Sequence, residues 1–381
     1  MRRVKIMKNR GLAVLFGLTA CLALASTAYA GKDGHEDTED LAVDEVKGGL
    51  SVMVLGSGGP IATAAGRASA SYLIFIDGVP KILMDAGGGA YKSLAMSGVD
   101  VKDLEIILLS HLHIDHTGDM SAIVKTMYFH NRIYNISGEG TFPPGRTAPF
   151  RVFGPAANGV AFPPVLEADP TTTQYPASSE YVHGHYDVNT GLERYLNIFT
   201  RAISGGIFNY KPKDVSANWT MYKPETIVNK AGLVIKAVGV NHGPVPALAF
   251  RIEYKGKSIV YSGDTSSKAV NPDGEPLANG GNMVAISENA DLLIYDTALG
   301  TDTPPGPSFN IFYALHTTPS RIGEIAASAE VKNLLLSHIT PQTENSILQV
   351  KSLIRAQGYS GEIEAAEDLD VINLMDHDHH H

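Results

Sequence analysis

The chain has 381 residues, 44% of them hydrophobic and 18% charged, with a formal net charge of −10 at pH 7. That composition suits one large globular domain with its own core and excludes a disordered or fibrous chain. The acidic balance argues against polyanionic partners, because it forfeits the counterion release that drives nucleic-acid binding, and the single cysteine, Cys21, excludes a disulfide framework.

Residues 1–30 read as a signal peptide. Met1–Arg10 carries Arg2, Arg3, Lys5, Lys8 and Arg10 with no acid, Gly11–Ser26 is apolar, and Ala28-Tyr29-Ala30 is a small-x-small cleavage site before Gly31. The apolar run is short for a transmembrane anchor. Leu18-Thr19-Ala20-Cys21 resembles a lipobox, which would leave a lipid anchor on Cys21. The run continues as Leu22-Ala23-Leu24-Ala25, which suits cleavage after Ala30 better. Either way the protein is expected to be exported, as a periplasmic or secreted protein. Cleavage after Ala30 removes five basic residues, taking the charge from −10 to −15, and leaves no thiol to bind zinc or act as a nucleophile. Residues 31–48, with Asp33, Glu36, Asp37, Glu39, Asp40, Asp44 and Glu45, are expected to be a flexible acidic leader.

Residues 49–375 are expected to form the functional domain. Short apolar strands are predicted at Ser51–Leu55, Tyr72–Ile76, Ile82–Met84 and Glu105–Leu109, alternating with Gly-rich turns. The last of them runs into His111-Leu112-His113-Ile114-Asp115-His116, three imidazoles and a carboxylate within six residues. Neutral imidazole and carboxylate suit zinc and similar metals. One tight turn cannot aim four groups at a single ion, but it can serve two, with His111 and His113 on one and Asp115 and His116 on the other. Three later apolar runs end in ligand-type residues: Leu233–Val240 before His242, Ile259–Tyr261 before Asp264, and Leu334–Leu336 before His338. Each alone is weak; together they do not read as accidents. A carboxylate has two oxygens to share, so Asp264 is the natural bridge between two ions. Asp85 is expected to orient a ligand histidine rather than bind metal, and Gly87, Gly88 and Gly89 to permit close backbone packing rather than cradle phosphate.

Helical patterns are predicted at Asp119–Tyr128, Gly191–Ala202, Ser320–Ala329 and Glu344–Gln357. Between them, residues 131–190 hold eight prolines, among them Pro149, Pro155 and Pro176, and are expected to be an irregular insert partly covering the mouth of the site. His183-Gly184-His185 lies in this insert and reads as an exposed polar loop. Asp376-His377-Asp378-His379-His380-His381 is a His-rich tail, outside the domain, with no part in a catalytic centre.

These motifs resemble the metallo-β-lactamase superfamily, and in particular its ribonuclease Z-like branch, which includes exported arylsulfatases and phosphodiesterases. The resemblance covers most of residues 50–370. It is carried by His111–His116, by Leu55-Gly56-Ser57-Gly58-Gly59-Pro60, by Leu83–Gly89, by Val152-Phe153-Gly154-Pro155, by Ser262-Gly263-Asp264-Thr265 and by His316-Thr317-Thr318. It implies an α/β fold, a four-layer αββα sandwich with metals at the strand ends. It implies that His111, His113, His242 and Asp264 hold one divalent ion and Asp115, His116, Asp264 and His338 the other, about 3.5–4 Å apart. The ions would be zinc first, with Mn2+ or Fe2+ as alternatives. A metal-bound hydroxide would be the nucleophile, Asp115 would also orient it, and His316 would protonate the leaving oxygen as general acid. Without the resemblance, His316 is only a residue at a helix entry. The expected function is an exported binuclear-metal hydrolase of small phosphodiesters or sulfate esters. The alternatives are a lactonase or β-lactamase-like acyl hydrolase, or a non-catalytic metal-binding protein on the same fold. The expected partners are a small-molecule ester substrate, no nucleic acid, and no membrane beyond the Cys21 anchor, with a homodimer as one open assembly state.

Overall fold

The computed structural model describes residues 41–133, 145–160, 174–221, 223–266 and 281–374. The segment expected to be a signal peptide, most of the acidic leader and the His-rich tail therefore lie outside the described residues.

Fourteen strands are described, seven in each of two sheets. The first sheet has the order β14-β1-β2-β3-β4-β5-β6, with β1 Leu50–Gly56, β2 Ser71–Ile76, β3 Val79–Met84, β4 Ile106–Leu108, β5 Phe150–Pro155, β6 Tyr210–Val215 and β14 Val371–Leu374. The second has the order β13-β12-β11-β10-β9-β8-β7, with β7 Glu225–Lys230, β8 Leu233–His242, β9 Val245–Tyr254, β10 Lys257–Tyr261, β11 Leu292–Asp296, β12 Asn333–Ser337 and β13 Glu362–Ala365. Each sheet begins as an antiparallel meander and continues in parallel, from β3 through β6 and from β10 through β13. Among the described residues, eight helices of six residues or more are interspersed with the strands: α1 Ala90–Ser97, α2 Met120–Ile133, α3 Ser178–Tyr186, α4 Tyr195–Ser204, α5 Asn282–Ser287, α6 Asn310–Leu315, α7 Pro319–Ser328 and α8 Ile347–Arg355.

Strand periodicity explains the layering. Successive side chains point to opposite faces. In β1, Leu50, Val52 and Val54 enter the core between the sheets, while Met53 and Leu55 enter the core under the helices. β11 splits the same way: Leu292 and Ile294 go between the sheets, Leu293 and Tyr295 under the helices of the second half. A strand buried on both faces reads as a continuous apolar run, which is why these strands were visible in the sequence. The result is the αββα sandwich the motifs imply.

Two expectations are corrected. Residues 41–48 are not a free tether. Ala42–Glu45 forms a turn of 3-10 helix; Ala42, Val43 and Val46 pack on the core under the first sheet, and the Lys47 amide donates to Asn373 Oδ1 at 2.8 Å. The acids dominate the composition there, but three apolar side chains one turn apart decide the outcome. Within 131–190, the described residues hold a sheet strand, β5, and helix α3, which carries His183 and His185. Pro149 and Pro155 bracket β5 rather than interrupt it, and Pro212 is tolerated because β6 is an edge strand, bonded on one side. β14, near the end of the chain, crosses back to pair with β1 at the edge of the first sheet.

Candidate active site

All the singled-out ligand residues lie at one edge of the sandwich. β1, β3, β4, β8, β10, β11 and β12 run in the same direction within their sheets, and their carboxyl ends deliver the loops that meet there. The Ser110 carbonyl accepts the Leu248 amide at 2.9 Å, and Gly58 bridges Ile339, so both sheets are tied together at this edge.

The His111–His116 loop is shaped by Asp85–Gly89. The Ala86 amide donates to the His116 carbonyl at 2.7 Å, and the Asp119 amide to the Ala86 carbonyl at 2.9 Å. A Cβ on Gly87 would overlap the Asp115 carbonyl oxygen, so only glycine allows this approach. One helical turn, Ile114–Thr117, then rotates the side chains: Ile114 is 80% exposed while His116 is fully buried. Gly263 has φ +56°, and a Cβ there would collide with Leu248 and Ser110; its left-handed turn brings Asp264 under the loop.

Three imidazoles, those of His116, His242 and His111, are held at Nδ1 so that Nε2 faces inward. His116 Nδ1 lies 2.7 Å from Asp85 Oδ2. His242 Nδ1 donates to the Leu315 carbonyl at 2.9 Å. His111 Nδ1 lies 3.1 Å from Ser110 Oγ, whose own proton goes to Asp85 Oδ2 at 2.6 Å. These bonds fix the tautomers and leave the Nε2 lone pairs converging. His111 Nε2 and His113 Nδ1 are 3.0 Å apart, and His116 Nε2 and His338 Nε2 are 3.3 Å apart. Asp264 stands between the two sets. Its Oδ1 is 3.3 Å from Nε2 of both His116 and His338; its Oδ2 is 3.8 Å from Nε2 of both His111 and His242.

The donor set fits divalent metal. Buried His242 Nε2 and Asp264 Oδ1 have no hydrogen-bond partner, and both point into the shared centre. His111, His113 and His242 form one ligand group; Asp115, His116, Asp264 and His338 form a second. Asp85, Asp115, Asp264 and Asp296 make no ion pair with Lys or Arg among the described residues. Carboxylates sequestered this way cost several kcal/mol each unless compensated; neutral donors bond Asp85 and Asp296, but the only groups here that can carry positive charge are imidazoles. Burial would lower His116, yet Asp264, Asp115 and Asp85 hold it well above the ordinary histidine range. His338 is likewise raised to about 10: burial opposes, but Asp264 and Asp296 outweigh it. Burial, reinforced by His116, drives His111 well down, and burial lowers His242 to about 4. Burial opposes ionisation of Asp264, but His338 and His116 keep it charged well below the carboxylate range. Bound cations would supply the positive charge and release those protons.

Asp296 was not singled out in the sequence. It ends the apolar run Leu292-Leu293-Ile294-Tyr295, the same signature that marks His242, Asp264 and His338. Its Oδ2 lies 2.7 Å from His316 Nδ1, and its Oδ1 3.1 Å from His338 Nδ1, where alignment is too poor for a hydrogen bond. Asp264, Asp296, His316 and His338 form a third ligand-type group. His316 caps the C-terminus of α6, three residues before α7, and its ring stacks on His338 at 5.4 Å. Asp85 does what was expected of it: it holds His116, accepts from the Ser110 amide at 2.7 Å and from Tyr261 Oη at 2.8 Å. His183 and His185 are not brought to this centre; they contact Tyr210 and Glu193.

Residues 64–193 match the family model of the metallo-beta-lactamase superfamily. Ribonuclease Z from Mycolicibacterium paratuberculosis is 25% identical over 326 residues, 85% of this chain and 98% of that protein. Ribonuclease Z from Thermoplasma acidophilum is 26% identical over 311 residues, 78% and 89% of the two chains. The crystal structure of human tRNase Z, short form, shares the fold with a TM-score of 0.52 at 19% identity, covering 84% of this chain and 98% of that one. The metallo-beta-lactamase fold protein YhfI from Bacillus subtilis does so with a TM-score of 0.51 at 21% identity, covering 85% and 98%. Relatives named for RNA cleavage, matched along nearly their whole length, overturn the expectation that nucleic acid is no partner. The physical error was to read a global sum as a local field: a net charge of −10 says nothing of where the cations lie. Residues 64–193 are thus a metallo-beta-lactamase superfamily domain, set in the two-sheet sandwich of that fold and carrying the donor groups of a metal-dependent hydrolase.

Proposed function

We propose that this protein is a metal-dependent phosphodiesterase whose substrates include RNA. The observation that carries the reading is Asp264, with one oxygen toward each of two ligand groups. His111, His113 and His242 would hold one divalent ion, and Asp115, His116 and His338 the other, with Asp264 shared. When bound, a pair of divalent cations supplies a nucleophile from water at neutral pH and neutralises the phosphoryl oxygens. Asp115, which also faces His116 and His338, orients the attacking water. His316, held at Nδ1 by Asp296, offers its other nitrogen as proton donor to the leaving oxygen. The Asp296 carboxylate stabilises the imidazolium this requires. A ring poised this way is of no use to a protein that only stores metal, which favours an enzyme. The ribonuclease Z relatives favour phosphodiesters over sulfate esters, lactones and β-lactams. We also propose export, resting on the signal sequence in residues 1–30.

The test is a panel assay on metal-analysed protein: bis-aryl phosphates, an RNA oligonucleotide, aryl sulfates, lactones and β-lactams, each with and without chelator. Chelator-sensitive cleavage of the phosphodiester and the RNA is expected. Turnover confined to sulfates, lactones or β-lactams would refute the reading.

A further inference from the structure

A cleft of about 650 Å3 lies at the other end of the sandwich, lined by Lys102, Asp103, Glu105, Arg146, Arg151, Lys211 and Lys230 among others. These residues sit before β4, at the starts of β5 and β6 and at the end of β7, so the cleft lies opposite the metal-ligand edge. Five cations face two carboxylates there, in a chain whose net charge is −10. Glu105 is ion-paired with Lys81 at 2.9 Å; burial opposes its ionisation, but Lys81, with Lys230 and Arg151 near enough to help, holds its carboxyl low, and Lys102 is paired with Asp100 at 2.6 Å. Arg151 and Lys211 are direct register partners on adjacent strands. Like charges placed opposite one another destabilise a sheet, and neither forms an ion pair with an acid among the described residues; nor does Lys230. Arg146, half-buried, is held by donation to the Lys102 carbonyl at 3.0 Å and the Ala148 carbonyl at 3.2 Å.

Edge strands often carry lysine to block pairing with other chains. That accounts for Lys211 on β6 and Lys230 on β7, the edges of the two sheets. It does not account for Arg151 on the interior strand β5, or for Arg146 in a loop. We propose that the cleft is a binding site for a small, multiply charged phosphate. Its size suits a compact ligand, and guanidinium forks match phosphate oxygens. A single strand of RNA would call for an elongated stripe with aromatic platforms, and the cleft lining has no aromatic side chain. The proposal does not depend on what the metal edge cleaves.

The experiment is calorimetric titration of the full-length, metal-loaded protein with inorganic pyrophosphate at low ionic strength. It is repeated on the Lys211→Glu/Lys230→Glu variant and on Arg151→Gln, with metal content and bis-aryl phosphate hydrolysis as controls of integrity. Saturable binding that weakens at least tenfold in both variants, with both controls unchanged, is the expected result. Equal affinity in wild type and variants would overturn the proposal by locating the anion at the metal centre. No binding to wild type would overturn the proposal. Binding of an RNA oligonucleotide through these residues without binding of pyrophosphate would replace the small phosphate with a strand.

Discussion

Asp296→Asn tests the catalytic reading most sharply, because it changes one charge and almost no volume. The carboxylate meets His316 Nδ1 at 2.7 Å, inside a buried cluster. A hydrogen bond between charged partners is worth roughly 1.5–3 kcal/mol. At about 1.4 kcal/mol per decade, its loss from the transition state slows turnover roughly 10- to 150-fold. The slowing should be concentrated in substrates whose leaving groups need a proton. The assay compares kcat/KM for phosphodiesters of nitrophenol with those of phenol or an alcohol, on protein whose metal content has been measured. The His338 contact is poorly aligned, so the metal content should be unchanged. In a His316→Ala background the same substitution should cost almost nothing, because coupled residues do not add. Equal losses for good and poor leaving groups, or an undiminished effect without His316, would refute the assigned proton path.

His316→Ala itself should keep both metals and slow poor leaving groups by roughly 10²–10⁴-fold, measured in the same leaving-group series; an emptied metal site would make His316 a ligand instead. Asp264→Ala should bring elemental analysis well below two divalent ions per chain and abolish turnover, whereas two retained ions would exclude it as the bridge. Asp85→Ala should weaken metal binding roughly 10- to 100-fold in a chelator competition, because His116 loses its Nδ1 partner; unchanged affinity would show that the ring needs no such support. Protein recovered after export should begin at Gly31 on N-terminal sequencing, and an acylated Cys21 would instead establish the lipoprotein alternative.

The residues proposed as metal ligands were legible because each is announced by its neighbours. His111, His113, Asp115 and His116 share one loop, and His242, Asp264 and His338 each end a run of apolar residues buried on two faces. Asp296 carries the same mark but was passed over, because a lone Asp after a strand gains meaning only from its partner, His316, twenty residues away. The packing of Ala42, Val43 and Val46 and the strand Phe150–Pro155 were hidden by acids and prolines that dominate local composition without deciding local structure. What sequence determined by itself was chemistry and periodicity: which residue types end which strands, and which faces those strands bury. Orientation was decided only by the tertiary structure. His242 turns Nε2 inward because Leu315, 73 positions on, takes its other nitrogen, and His116 does so because of Asp85. The cations of the far cleft, spread from Lys102 to Lys230, likewise become neighbours only once the two sheets stack. Ligand identity is a property of single residues, whereas tautomer, burial and local field depend on atoms that the chain brings together from far apart.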